Sequence, residues 1–97
     1  MYIISDEIKT QEYNKLQVKK LVNKSSLEIL CITLEKDVLF PEHTSPRDAE
    51  LVVLEGSVEF HINGIKYNLN TQQHFNFPRE TVHSVLAMEN SKFLIIR

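Results

Sequence analysis

Asn63-Gly64 stands between two runs in which apolar and polar residues alternate, Ser57 to Ile62 before it and Ile65 to Leu69 after it. An Asn-Gly pair readily adopts the positive φ angles of the tight turn whose twist matches that of paired strands. A β-hairpin is therefore expected here. The rest of the chain is punctuated in the same way. Short runs rich in Val, Ile, Leu and Phe span Leu16 to Val22, Leu27 to Leu34, Val38 to Phe40, Glu50 to Leu54, His74 to Phe77, Ser84 to Met88 and Phe93 to Ile96. Polar turns such as Asn23-Lys24-Ser25-Ser26, Asn70-Thr71-Gln72-Gln73 and Asn90-Ser91, with Glu55-Gly56, separate them. So many short strands at near-regular spacing predict an all-β sandwich or barrel. The one helix candidate is a turn or two over Asp6 to Lys9, with Ser5 placed to cap it.

Alternation assigns the faces of these strands. Val58, Phe60 and Ile62 share one face, and Glu59 and His61 the other. Phe75 and Phe77 lie together, opposite His74 and Asn76. The run from Glu50 to Leu54 is apolar on both faces, which a chain of 97 residues finds hard to bury unaided. A second subunit would cover it, so a homodimer is expected, with Val52 and Leu54 near the interface and exchange of N-terminal strands as one route to it.

Composition narrows the function. A net charge of −2 offers no broad basic face, which argues against nucleic acid as a partner. Lys19-Lys20 and Lys24 read as solvated charges on a strand edge. Cys31 is the only cysteine, so no intrachain disulfide can form, and its apolar strand marks it as a buried thiol. The first residues carry no basic region and no long apolar run, so neither a signal peptide nor a membrane span is expected, and the cytoplasm is the default location. Length suits one domain over 1–97, with a core barrel from about residue 16 and residues 1–15 as an N-terminal extension.

The stretch that carries chemistry begins at His43-Thr44-Ser45-Pro46-Arg47-Asp48-Ala49-Glu50, runs through an apolar strand to Glu55-Gly56, and is followed later by Pro78-Arg79-Glu80-Thr81-Val82-His83. This order resembles the two motifs of the cupin family, and the resemblance is to a small single-domain cupin of the conserved-barrel type with a degenerate metal motif. It implies an antiparallel jelly-roll β-barrel and, in members that bind metal, a site made from two first-motif histidines, a glutamate and a second-motif histidine. His43 matches the first histidine and His83 the last. Ser45 falls where the second histidine would be. Counting back from Gly56 puts the glutamate position on Ala49, whereas counting forward from His43 admits Glu50. Strand alternation then predicts Ala49 inward and Glu50 outward. The opening glycine of the first motif is absent, with Lys36-Asp37 in its turn. Gln72-Gln73 and Glu80 replace residues of the second motif that include glycines, and Ala87 replaces its terminal asparagine.

The resemblance thus implies a pocket lined by His43, His83, Ala49, Leu51, Val53, Phe75 and Phe77. Two readings of the histidine pair stand. In one, His43 and His83 hold a divalent metal weakly, completed by water, by Glu50 or by His74; zinc, nickel, iron(II) and manganese all accept imidazole. In the other, they are pocket histidines bonded to each other, to a carbonyl or to a small anion. His61 is expected to pair with Glu59 or Lys66. For Arg47, Asp48, Arg79 and Glu80, local surface ion pairs are expected, with anion binding by Arg47 as the alternative. No Ser-His-Asp arrangement surrounds Ser45. Function follows in two versions: a small-molecule-binding barrel, or a metal-dependent enzyme such as a dioxygenase or isomerase acting on a small organic acid or sugar.

Overall fold

The computed structural model describes residues 1–97. The apolar runs become nine strands: β1 (Leu16–Lys24), β2 (Leu27–Leu34), β3 (Leu39–His43), β4 (Ala49–Glu55), β5 (Ser57–Ile62), β6 (Ile65–Asn70), β7 (His74–Phe77), β8 (His83–Ala87) and β9 (Ser91–Ile96). One short helix, α1 (Glu7–Thr10), precedes them. Asp6, not Ser5, is its N-cap residue and makes no side-chain capping bond, while Ser5 Oγ accepts the Glu7 N–H at 3.2 Å.

The strands form two antiparallel sheets. One has five strands in the order β1-β2-β9-β4-β7, and the other has four in the order β3-β8-β5-β6. Crossing from sheet to sheet along the chain makes this the jelly-roll arrangement, in which each sheet buries one face against the other. Directly paired residues in antiparallel strands point to the same face, so the register defines rows of side chains. In the larger sheet, Lys20, Leu30, Ile95, Leu51 and Phe75 form one inward row, and Val18, Ile32, Phe93 and Val53 the next. In the smaller sheet, Phe40, Val85, Phe60 and Tyr67 form a row beside His43, His83, Ile62 and Ile65. Leu34, Leu51, Val53, Val58, Phe60 and Phe93 are almost wholly removed from solvent and make the centre of the core.

The outer face of the five-stranded sheet is partly covered by the N-terminal segment. Gln11 donates to the Cys31 carbonyl at 2.9 Å, Thr33 Oγ1 donates to the Glu12 carbonyl at 2.8 Å, and the buried Lys92 Nζ donates to the Ile8 carbonyl at 2.6 Å. Cys31 is fully buried, and burial raises the pKa of its thiol. No helix is long and apolar enough to cross a membrane.

Candidate functional site

β3 carries one residue more than its partner over a short span: Phe40 pairs with Val85, but His43 pairs with His83. That bulge matters because residues three apart on a regular strand face opposite ways. With it, Phe40 and His43 both turn inward and their rings stack, centroids 4.0 Å apart. His43 also meets His83 edge-on at 4.3 Å. His83, on the first residue of β8, is buried and packed between Phe60 and Phe77, with centroids at 5.2 and 4.5 Å.

Both imidazoles are oriented by the backbone. His43 Nδ1 lies 2.7 Å from the Pro41 carbonyl, and His83 Nδ1 lies 2.8 Å from the Thr81 carbonyl. A carbonyl can only accept, so each Nδ1 carries a proton, and a lone pair is left on Nε2 wherever the ring is neutral. Burial, together with the nearby His43 and Arg97, pushes the pKa of His83 below its ordinary value despite the bond to Thr81. His83 is therefore a neutral acceptor near neutral pH.

The pair borders a cavity of about 260 Å³ between the two sheets, 10 of whose 16 lining residues are hydrophobic. Leu51 and Phe77, named from sequence, line it with the histidines. Ala49 and Val53 lie inward but are packed into the core beside it, and Phe75 is half-buried against Phe60 and Tyr67. Sequence reasoning missed Phe40, Phe60, Phe93, Lys20 and Arg97 in the wall. Alternation was signal enough for Phe60. Lys20 and Arg97 needed the sheet register, because neither side chain's target is encoded locally.

Arg97 is the unforeseen polar element. Its backbone pairs in both directions with Glu28, its Nε donates to Glu28 Oε1 at 2.7 Å, and its Nη1 donates to Ser45 Oγ at 3.1 Å. The Arg97 hydrogen bond, with its charge and that of Lys20, holds the Glu28 carboxyl below the usual carboxylate range. The other charged candidates do not reach the cavity. Arg47 donates to the Ser25 carbonyl at 2.9 Å, and Asp48 Oδ1 accepts the Arg79 N–H at 2.9 Å, so the expected Arg47–Asp48 and Arg79–Glu80 pairs are replaced by contacts to backbone. His61 Nε2 does pair with Glu59. His74 and Glu50 face away from the cavity and bond each other, Nε2 to Oε1, at 2.7 Å.

Three backbone angles bear on the family resemblance. Asp37, Gln72 and Glu80 all have positive φ, at 69, 68 and 56°. These residues stand in the turns where the cupin motifs carry glycine, so the turn conformation is retained without the residue that adopts it freely. The structure is also similar to solved ones. An RmlC-like cupin protein from Desulfovibrio desulfuricans matches with a TM-score of 0.86 at 19% identity, over 99% of this chain and 95% of that one. This chain has the cupin fold. A cupin superfamily protein from Desulfitobacterium hafniense agrees with a TM-score of 0.81 at 16% identity, covering 89% of this chain and 79% of that one. A Streptococcus pyogenes protein of unknown function shares 27% identity and a TM-score of 0.78, over 88% of this chain and 75% of that one. No protein-family model matches the sequence, and no curated protein matches it closely enough to count as a relative.

Cupin metal sites draw on four donor positions, and the residues here do not fit one. His43 and His83 supply two imidazoles, Ser45 is engaged by Arg97, Ala49 has no donor, and Glu50 faces the other side of the sheet. No group of three or more His, Cys, Asp or Glu is placed to hold an ion, whereas protein metal sites normally offer three or four ligands.

Proposed function

We propose that this cupin-fold protein binds a small organic molecule in the cavity between its sheets, through its own side chains. The observation that carries the reading is the cavity itself: about 260 Å³, mostly apolar, with two backbone-fixed histidines at its border. Ligand pockets have this composition, apolar walls with a few placed polar groups, and this one lies just under the roughly 300–1,000 Å³ of drug-sized sites. The ligand is accordingly small.

Fragment titration followed by amide NMR tests this. Binding is expected to shift the resonances of Phe77, His83 and Ile95, and Val85→Phe, which fills the space, is expected to abolish it. Fragments that bind Val85→Phe as well as the unmodified protein would refute the reading. Elemental analysis of untagged protein supplies the second arm. A stoichiometric transition metal that disappears in His43→Ala would instead support metal-dependent chemistry.

The reading includes self-association into a homodimer. Supporting it, Val52, Leu54, Leu94 and Ile96 lie half-buried on the outer face of the five-stranded sheet, and Met1, Tyr2, Ile3 and Ile4 stand almost fully in solvent. A second copy can cover that face and take up those side chains.

A further inference from the structure

The cavity wall contains Lys20, Arg97 and two histidines but no aspartate or glutamate. Glu28, outside the wall, bonds to both cations, at 2.7 Å to Arg97 and 3.6 Å to Lys20. Glu28 pairs more closely with Arg97 than with Lys20, so Lys20 is the cation it compensates less. Lys20 is largely solvated at the rim, whereas Arg97 is better buried and, though paired, keeps donors to spare. A guanidinium has five N–H donors. Arg97 uses Nε and Nη1 on Glu28 and Ser45, while its Nη2 donates to no protein atom. The group is also held rigid, at its backbone by Glu28 and at its side chain by Glu28 and Ser45, so little ordering cost remains for a ligand to meet. Ser45 occupies the motif position of a metal-binding histidine, so a fixed cation is anchored to a residue that would otherwise help hold one.

We propose that the cavity is an anion site: it takes a small monocarboxylic acid whose carboxylate docks on Arg97 and whose apolar body lies among Phe60, Phe77 and Phe93. The proposal rests on the cavity-binding reading above. A monocarboxylate can take the free Nη2 donor and fill the apolar wall with its body, whereas a phosphate dianion would leave the apolar remainder of the wall without a partner. The lone-pair Nε2 of His83 favours acids that also carry a hydroxyl, which can donate to it.

Isothermal titration calorimetry on the whole chain at neutral pH, with benzoate and hexanoate against benzamide, hexanamide and inorganic phosphate, tests this. Each acid is expected to bind roughly tenfold or more tightly than its amide, the scale of one charge-assisted hydrogen bond. Arg97→Gln is expected to remove that preference while leaving amide binding within about twofold, and Arg97→Lys to keep part of it. The comparison within the unmodified protein holds even if Arg97→Gln does not fold, and Ser45→Ala, which frees Nη1 from its anchor, is expected to weaken acids selectively. Acids and amides binding equally would overturn the anion site and leave the cavity reading intact. Phosphate binding more tightly than benzoate would overturn the choice of a monocarboxylate. No binding by any of the organic probes would remove both.

Discussion

His83 is the histidine whose protonation the fold constrains. Around it stand Phe60 and Phe77, the edge of His43, and the charge of Arg97, and its Nδ1 proton is held by Thr81. Its folded pKa lies below the ordinary 6.5. Below about pH 6.5 the unfolded chain therefore binds more protons than the folded one, and stability falls with pH until the folded value is passed. Glu28, whose pKa is also lowered, contributes stability that is present above the ordinary carboxylate range and lost as pH falls through its folded value, a separate and more acidic window. The thermal midpoint is thus expected to drop between about pH 7.5 and 5.5, and to drop less in His83→Gln. Parallel pH profiles for the two proteins would count against this account. At Gln72 and Glu80 the strain is conformational. A left-handed residue other than glycine costs about 1–2 kcal/mol, partly offset because glycine loses more freedom on folding. Gln72→Gly and Glu80→Gly are each expected to stabilise by about 0.5–1 kcal/mol in urea unfolding. Asp37→Gly should gain less, because aspartate tolerates this conformation.

Two glycine turns differ sharply in tolerance: the β5–β6 turn closes a hairpin within one sheet, whereas the β4–β5 turn crosses between the sheets. Asn63 and Gly64 have φ of 53 and 73°, the pattern of the tight turn, and nothing lies within 4 Å of a Cβ added at Gly64. Gly56 has φ of 91°, and a Cβ there would stand 2.5 Å from the Asn90 carbonyl oxygen and 2.7 Å from Ser91 Cα. Ser91 cannot yield easily, because it is fully buried and its hydroxyl bonds the Ser57 backbone at 3.0 Å. Gly64→Ala is expected to cost about 1 kcal/mol from backbone strain alone. Gly56→Ala adds overpacking and is expected to cost about 2–4 kcal/mol. Equal losses for the two in chemical denaturation would show that the β4–β5 turn relaxes. The β3 bulge has the opposite character, since it spends a ladder position to aim His43. Without the extra residue, His43 would face solvent and the cavity would lose one of its two histidines.

At the scale of the whole molecule, two sheets of unequal size bury one face each, and the larger sheet keeps an apolar patch around Val52, Leu94 and Ile96 on an otherwise polar outer face. The N-terminal segment covers the part near Cys31 and Thr33 through Gln11, Glu12 and Lys92. Val52 and Leu54, further across the sheet, stay half-exposed. Burying a side chain of this kind is worth about 1.5–3 kcal/mol, enough for a few of them to drive pairing of two copies. Light scattering is expected to give twice the 11.3 kDa of one chain at micromolar concentration. Val52→Glu with Leu54→Lys is expected to give monomer or aggregate. A monomeric mass for the unmodified protein would dispose of the dimer.

Strand identity, the alternation that turns Ala49 and Leu51 inward and Glu50 outward, and the Asn63-Gly64 turn were all legible in the chain, because side-chain period and turn chemistry are local properties. His43 and His83 were legible as a pair only through the motif order they share with cupins. Arg97 was not, since its contacts with Glu28 and Ser45 join residues far apart in sequence and depend on β2 and β9 meeting in register. Nor was the β3 bulge, because one extra residue in a strand leaves no mark in composition or period. Those two features of packing, and no local signal, decide that the cavity between the sheets brings His43 and a guanidinium to His83.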